Sequence, residues 1–141
     1  MRALLQFALF LAAVFFIVGE FLGGWYLGVP PQTPIFLYKK THTAVVERQT
    51  RIASEFPFSV SGSLRQGSVT VEASYERPSS FQDPGRRVLA NRVYFSEIFG
   101  AGQPIAVSEV LERGEGVYRL VLTFTDASGT LRLDVPPRNA F

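Results

Sequence analysis

His42 is the only histidine in the chain, there is no cysteine, and the single methionine is Met1. Copper and zinc sites draw on several His, Cys or Met side chains, so this inventory excludes them. It also excludes disulfides, thiolate nucleophiles, covalent c-type haem and cysteine-ligated iron–sulfur clusters. A histidine-dependent triad would have to be built on His42, yet no G-x-S-x-G elbow accompanies it, and it reads as an ordinary strand or surface residue. Glu109, Glu112 and Glu115 cluster beside Arg113. Paired carboxylates can work as acid and base on a sugar, but this spacing straddles Gly114 and Gly116, which favours a solvated turn. Residues 99–103 carry glycines without the Gly-Lys-Ser/Thr ending that cradles phosphate. The sharpest basic cluster is Arg86, Arg87 and Arg92, a candidate contact for acidic headgroups or an acidic partner. Otherwise the 14 basic and 12 acidic residues are interleaved, as in Glu47-Arg48, Glu76-Arg77 and Glu112-Arg113. A concentrated basic face is missing, so a nucleic-acid partner is not expected. The expectation is a protein that is not an enzyme and binds no metal or cofactor through ligands of its own.

The elements that must carry these residues begin with an apolar run over residues 3–29, broken only by Gln6 and Glu20. As one helix it would be about 40 Å long, more than the roughly 30 Å of a bilayer core. It is about twice the length of a signal-peptide core and ends in Gly28-Val29-Pro30-Pro31 without an Ala-x-Ala cleavage pattern, so a retained anchor is expected. Trp25 and Tyr26 are expected at the headgroup level, and Glu20, just inside, is expected to reach toward water or pair with a cation on a neighbouring helix. Gly19 with Gly23, and Gly24 with Gly28, form two G-x-x-x-G spacings, which on a helix let another backbone approach closely. Together with Glu20 they predict a lateral packing face. Phe7, Phe10, Phe15, Phe16 and Phe21 supply bulk for lipid, pigment or protein on the other side.

Pro30, Pro31 and Pro34 suggest an extended spacer, followed by the apolar patch Ile35-Phe36-Leu37-Tyr38, a first strand or an interfacial contact, and then two lysines. From there the pattern has period two. Val69, Val71, Ala73 and Tyr75 alternate with polar residues, as do Tyr118, Leu120, Leu122 and Phe124. The Asp126-Ala127-Ser128-Gly129 turn signal and the resumed alternation of Leu131, Leu133 and Val135 predict a β-hairpin over residues 117–135. Weaker strands are read at 41–48, 58–64, 87–95 and 104–110, with loops at 65–67 and 79–85. A short helix over 47–56 and a helical turn at 97–100 are alternatives. The expected fold is a single N-terminal transmembrane α-helix followed by an all-β domain, an antiparallel β-sandwich of immunoglobulin-like type. The segments are an anchor at 1–29, a Pro-rich connector at 30–40, a β-sandwich at 41–136 and a tail at 137–141. This layout predicts a single-pass membrane protein with its C-terminal domain on the extracytoplasmic, periplasmic side. Its expected role is that of a non-catalytic accessory subunit of a larger membrane complex, of respiratory or photosynthetic type, with other transmembrane subunits and the bilayer as partners. The alternative is a free-standing membrane-anchored binding module or assembly factor.

Overall fold

The computed structural model describes residues 2–50, 55–77 and 92–137. It opens with helix α1, Arg2–Phe21, which is 20 residues long with a mean hydropathy of 2.2 and is long and apolar enough to cross a membrane. At 1.5 Å per residue it measures about 30 Å, close to a bilayer core. The helix stops well short of Val29. Gly23 takes a left-handed backbone (φ 68°), and the Gly24 amide donates to the Gly19 carbonyl at 2.7 Å, the six-to-one bond of a Schellman ending. The Gly-Gly pair is therefore a stop signal, and the eight residues expected to extend the helix leave it.

Those residues form strand β1, Trp25–Leu27, which turns back onto β2, Ile35–Thr50. The pairs Trp25 with Tyr38 and Leu27 with Phe36 make an antiparallel hairpin. Its turn closes where Thr33 accepts a hydrogen bond from the Val29 amide on its hydroxyl (2.8 Å) and returns one from its own amide to the Val29 carbonyl (3.0 Å). The Pro-rich stretch is thus a hairpin loop and not an extended spacer, so the sheet begins directly at the helix end.

The remaining strands are β3, Glu55–Glu76; β4, Arg92–Gly100; β5, Pro104–Glu112; and β6, Gly116–Asp134. Every pairing is antiparallel, in the order β1-β2-β6-β3-β4, with β5 also on β3. Phe56, near the start of β3, stacks on Tyr118 at 5.1 Å, and Tyr118 is the register partner of Tyr75 at the far end of that same strand. A straight strand would hold Phe56 and Tyr75 about 60 Å apart. The sheet must therefore fold back on itself, and the contact of Phe58 with Phe95 at 5.9 Å repeats the closure.

The fold line is marked strand by strand. In β2 the register shifts on both sides of Lys40, and Lys39 has φ 43°; in β6 Asp126 has φ 46°; in β3 the register shifts around Gln66, and Gly67 has φ 74°. A side chain on Gly67 would run into the carbonyls of Thr125 and Asp126, so glycine is needed where β3 and β6 turn the corner together. Chain 100–104 turns the same corner between β4 and β5, with the Gly102 amide donating to the Leu64 carbonyl at 3.0 Å. One leaf thus holds β1, β5 and the parts of β2, β3 and β6 on one side of the line; the other holds β4 and the remaining parts.

Three expectations change here. The hairpin over 117–135 is a single bent strand paired to β3 along both arms, because residues that tolerate positive φ serve a strand corner as well as a turn. Residues 65–67 and 97–100 are strand, and so are 47–50 and 55–56 from the stretch weighed as a helix. The two facing leaves belong to one continuously hydrogen-bonded sheet, whereas an immunoglobulin-like sandwich packs two separate sheets. The period-two faces fall as expected: Val69, Val71, Ala73, Tyr118, Leu120, Leu122, Phe124, Leu131, Leu133 and Val135 are all buried between the leaves.

Candidate functional site: the junction of helix and sheet

The richest side-chain constellation lies where α1 meets the β1–β2 hairpin. Trp25, first residue of β1, lays its indole flat on Phe15 (centroids 4.5 Å apart, planes 10° apart), and its Nε1 donates to the Phe15 carbonyl at 3.0 Å. Gly19 makes this possible, because any Cβ there would overlap the indole at Nε1 and Cδ1. On the opposing strand position, Tyr38 meets Phe16 edge-on at 5.1 Å and donates its hydroxyl to Glu20 Oε1 at 2.9 Å. Lys39 Nζ closes an ion pair on the same carboxylate oxygen at 2.5 Å. The hydrogen bond to Glu20 raises the Lys39 pKa above the usual lysine range, and the bond that Tyr38 donates to Glu20 raises the phenol likewise.

The left-handed Lys39 that bends β2 also sits at this junction, and its amide donates to Ser128 Oγ at 2.8 Å. The geometry that folds the sheet therefore also aims Tyr38 and Lys39 at the helix. Tyr26, next to Trp25, packs on the other side, 4.4 Å from the ring of His42 and 6.3 Å from Phe124, and burial raises its phenol pKa.

The sequence-derived candidates divide. Gly19 is on the helix but covered by Trp25, the helix's one buried residue. Gly23, Gly24 and Gly28 lie beyond the helix with positive φ, so neither G-x-x-x-G spacing forms a helix face. Gly24 instead lets the Tyr38 and Lys39 carbonyls approach, and Gly28 that of Pro34. Glu20 finds its cation on the chain's own hairpin and not on a neighbouring helix. Trp25 sits against the helix wall, not at the end of a longer helix. Phe7, Phe10 and Phe21 remain exposed, while Phe15 and Phe16 are engaged by Trp25 and Tyr38.

Arg86 and Arg87 lie outside the described residues. Arg92 is exposed at the start of β4, over the Tyr94 ring at 5.5 Å, and Arg113 covers the same ring at 4.0 Å. Sequence reading missed Arg113 as the companion of Arg92, as it missed Tyr38 and Lys39. For the last two a signal was present: Lys39 is the first charged residue after Glu20. His42 is exposed on β2, where its ring meets that of Tyr26. Glu109 and Asp134 border a shallow depression of about 350 Å³ with Pro57, Ser59, Val110 and Pro136. Among the described residues, no group of three or more His, Cys, Asp or Glu could hold a metal ion.

Elsewhere polar groups serve the scaffold. Arg119 bridges Glu47 (2.7 Å) and Glu76 (3.0 Å) across β2, β6 and β3, partly exposed pairs of the kind worth about 0.2–1 kcal/mol each. Buried Arg48 donates from Nε to the Pro136 carbonyl at 2.9 Å, holding the chain end against β2. Tyr118 donates to the Gly114 carbonyl at 2.8 Å and is raised in pKa by burial.

No protein-family model and no curated protein matches this sequence. Among solved structures the chain is similar to one described as "CBM4 structure and function", with 11% identity and a TM-score of 0.44, over 82% of this chain and 78% of that one. A likeness at that level carries no argument about function. The class defined by the pairing itself is a bent antiparallel sheet bound to one apolar N-terminal helix.

Proposed function

We propose that the chain is a single-pass membrane protein whose helix is retained and whose sheet acts by contact, as an anchored binding module on the extracytoplasmic side. The observation that carries the reading is the junction: Trp25, Tyr38 and Lys39 fasten the sheet to Phe15, Phe16 and Glu20 of the helix. A helix built to be discarded has no need of such ties. The accessory-subunit reading loses its lateral glycine face, since Gly19 is filled by Trp25, Gly23 ends the helix, and Gly24 and Gly28 let hairpin carbonyls approach. The sheet's candidate contact region is the outer face of the β4 leaf, where Ile98, 67% exposed, is in register with Thr70, Thr123 and Thr43, exposed Val45 follows Thr43 on β2, and exposed Val93 lies further along β4 opposite Ser74. Among the described residues, β4 pairs only with β3.

The test is extraction from the native membrane in mild detergent. A full-length chain that migrates alone supports the binding module, and a stoichiometric set of partners surviving purification restores the subunit reading. A mature form beginning beyond Pro31 and free in the aqueous phase would end both. An Ala101→Cys variant, labelled on intact cells by an impermeant thiol reagent, checks the side; the chain's lack of cysteine makes the label specific.

A further inference from the structure

Between Glu20 and Lys39 there is no charged residue, and this uncharged stretch is the segment that leaves the helix and folds into the β1–β2 hairpin. An antiparallel edge with one face in a core ordinarily turns polar residues to water on the other. Here Ile35 and Leu37 face the core, yet the outward row is apolar as well. Leu27 and Phe36 are register partners and are 49% and 52% exposed, and Val29 at the turn is 65% exposed. We infer that this hairpin is a second membrane contact: its outward row of Leu27, Val29 and Phe36 lies in the lipid interface beside the point where the helix emerges. The inference rests on the anchored reading above.

Three observations name lipid as the occupant. The hairpin is continuous with the apolar helix, and Trp25 at its root touches Phe15, about 9 Å of helix rise below Phe21, so the hairpin starts at bilayer depth if the helix spans. The single acid bordering the stretch, Glu20, is met by Lys39 and Tyr38, which leaves no unpaired carboxylate to immerse. Lys40, next to the Lys39 that neutralises Glu20, stands at the border of the hairpin, where an ammonium group can meet lipid phosphates. The arrangement fixes the orientation of the sheet over the membrane at two points instead of one.

The full-length chain, reconstituted in phosphatidylcholine vesicles with a minority of phosphatidylglycerol, carries an environment-sensitive fluorophore on one introduced cysteine at a time. Val29→Cys probes the hairpin, Leu11→Cys the helix, and Ala101→Cys the β4–β5 turn at the opposite end of the strand order from β1. With lipids brominated high on the acyl chain, the Val29→Cys label is expected to be quenched several-fold more than the Ala101→Cys label, and Leu27→Ser with Phe36→Ser should reduce that difference. A Val29→Cys label no more quenched than Ala101→Cys, while Leu11→Cys is quenched by mid-chain bromine, overturns the hairpin contact and leaves the anchor standing. A Val29→Cys label shielded from aqueous iodide but untouched by bromolipid also overturns it, in favour of a protein partner. An unquenched Leu11→Cys label overturns the anchor itself, whatever Val29→Cys does.

Discussion

Replacing Gly19 with alanine separates the docking of the helix from its stability. Alanine is favoured over glycine within a helix by about 1 kcal/mol, so α1 alone gains. The added Cβ, however, falls inside the indole of Trp25, which must leave. With it go the Nε1 hydrogen bond to Phe15, typically about 0.5–1.5 kcal/mol, and the parallel stack on the Phe15 ring, about 0.5–1.5 kcal/mol more. Together these shift the docked-to-free balance of helix and sheet by roughly 5- to 150-fold, since about 1.4 kcal/mol is a factor of ten. The assay is a spin-label distance between Leu11→Cys and Ala101→Cys in nanodiscs. The native chain should give one narrow distribution, and Gly19→Ala a broadened one that Trp25→Ala reproduces. The sheet's urea midpoint should not move. An unchanged narrow distribution in both variants would refute the argument that this clasp sets the helix's position.

Phe56→Ala removes a fully buried ring stacked between the leaves and should cost about 3–5 kcal/mol in urea titrations followed by far-ultraviolet circular dichroism; a loss under about 1 kcal/mol would mean the leaves do not close on Tyr118. The junction should also loosen at high pH. Both Lys39 and Tyr38 have raised pKa values when docked, so their contribution is fully present below the undocked values near pH 10 and is lost as pH rises through the docked ones. The same spin-label distance should therefore hold from neutrality to about pH 10 and broaden above it, and Lys39→Met should broaden it already at neutral pH.

Much of the sheet could be read before any pairing was known, because side chains of a strand alternate by geometry alone: Val69, Val71 and Ala73, or Tyr118, Leu120, Leu122 and Phe124, had to share a face. Little of the junction could. Tyr38 and Lys39 become partners of Glu20 only because β2 is brought back against the helix end by β1, and nothing in an apolar run announces that it will double back. The Gly-Gly pair at 23–24 was visible, but glycine both eases helix packing and ends helices, and the choice depended on Trp25 finding Phe15.

The composition of residues 2–21 by itself dictated an apolar helix, and the period-two stretches dictated inward and outward faces, since both follow from repeat geometry acting on one segment. Tertiary structure alone decided that Asp126 lies in a strand's corner, with Gly129 paired to Leu37 and Leu64 just past it, and not at a hairpin's tip. A positive φ is satisfied equally well by either, and the difference lies in the hydrogen-bond partner that β3, some sixty residues earlier in the chain, presents along both arms of the bend.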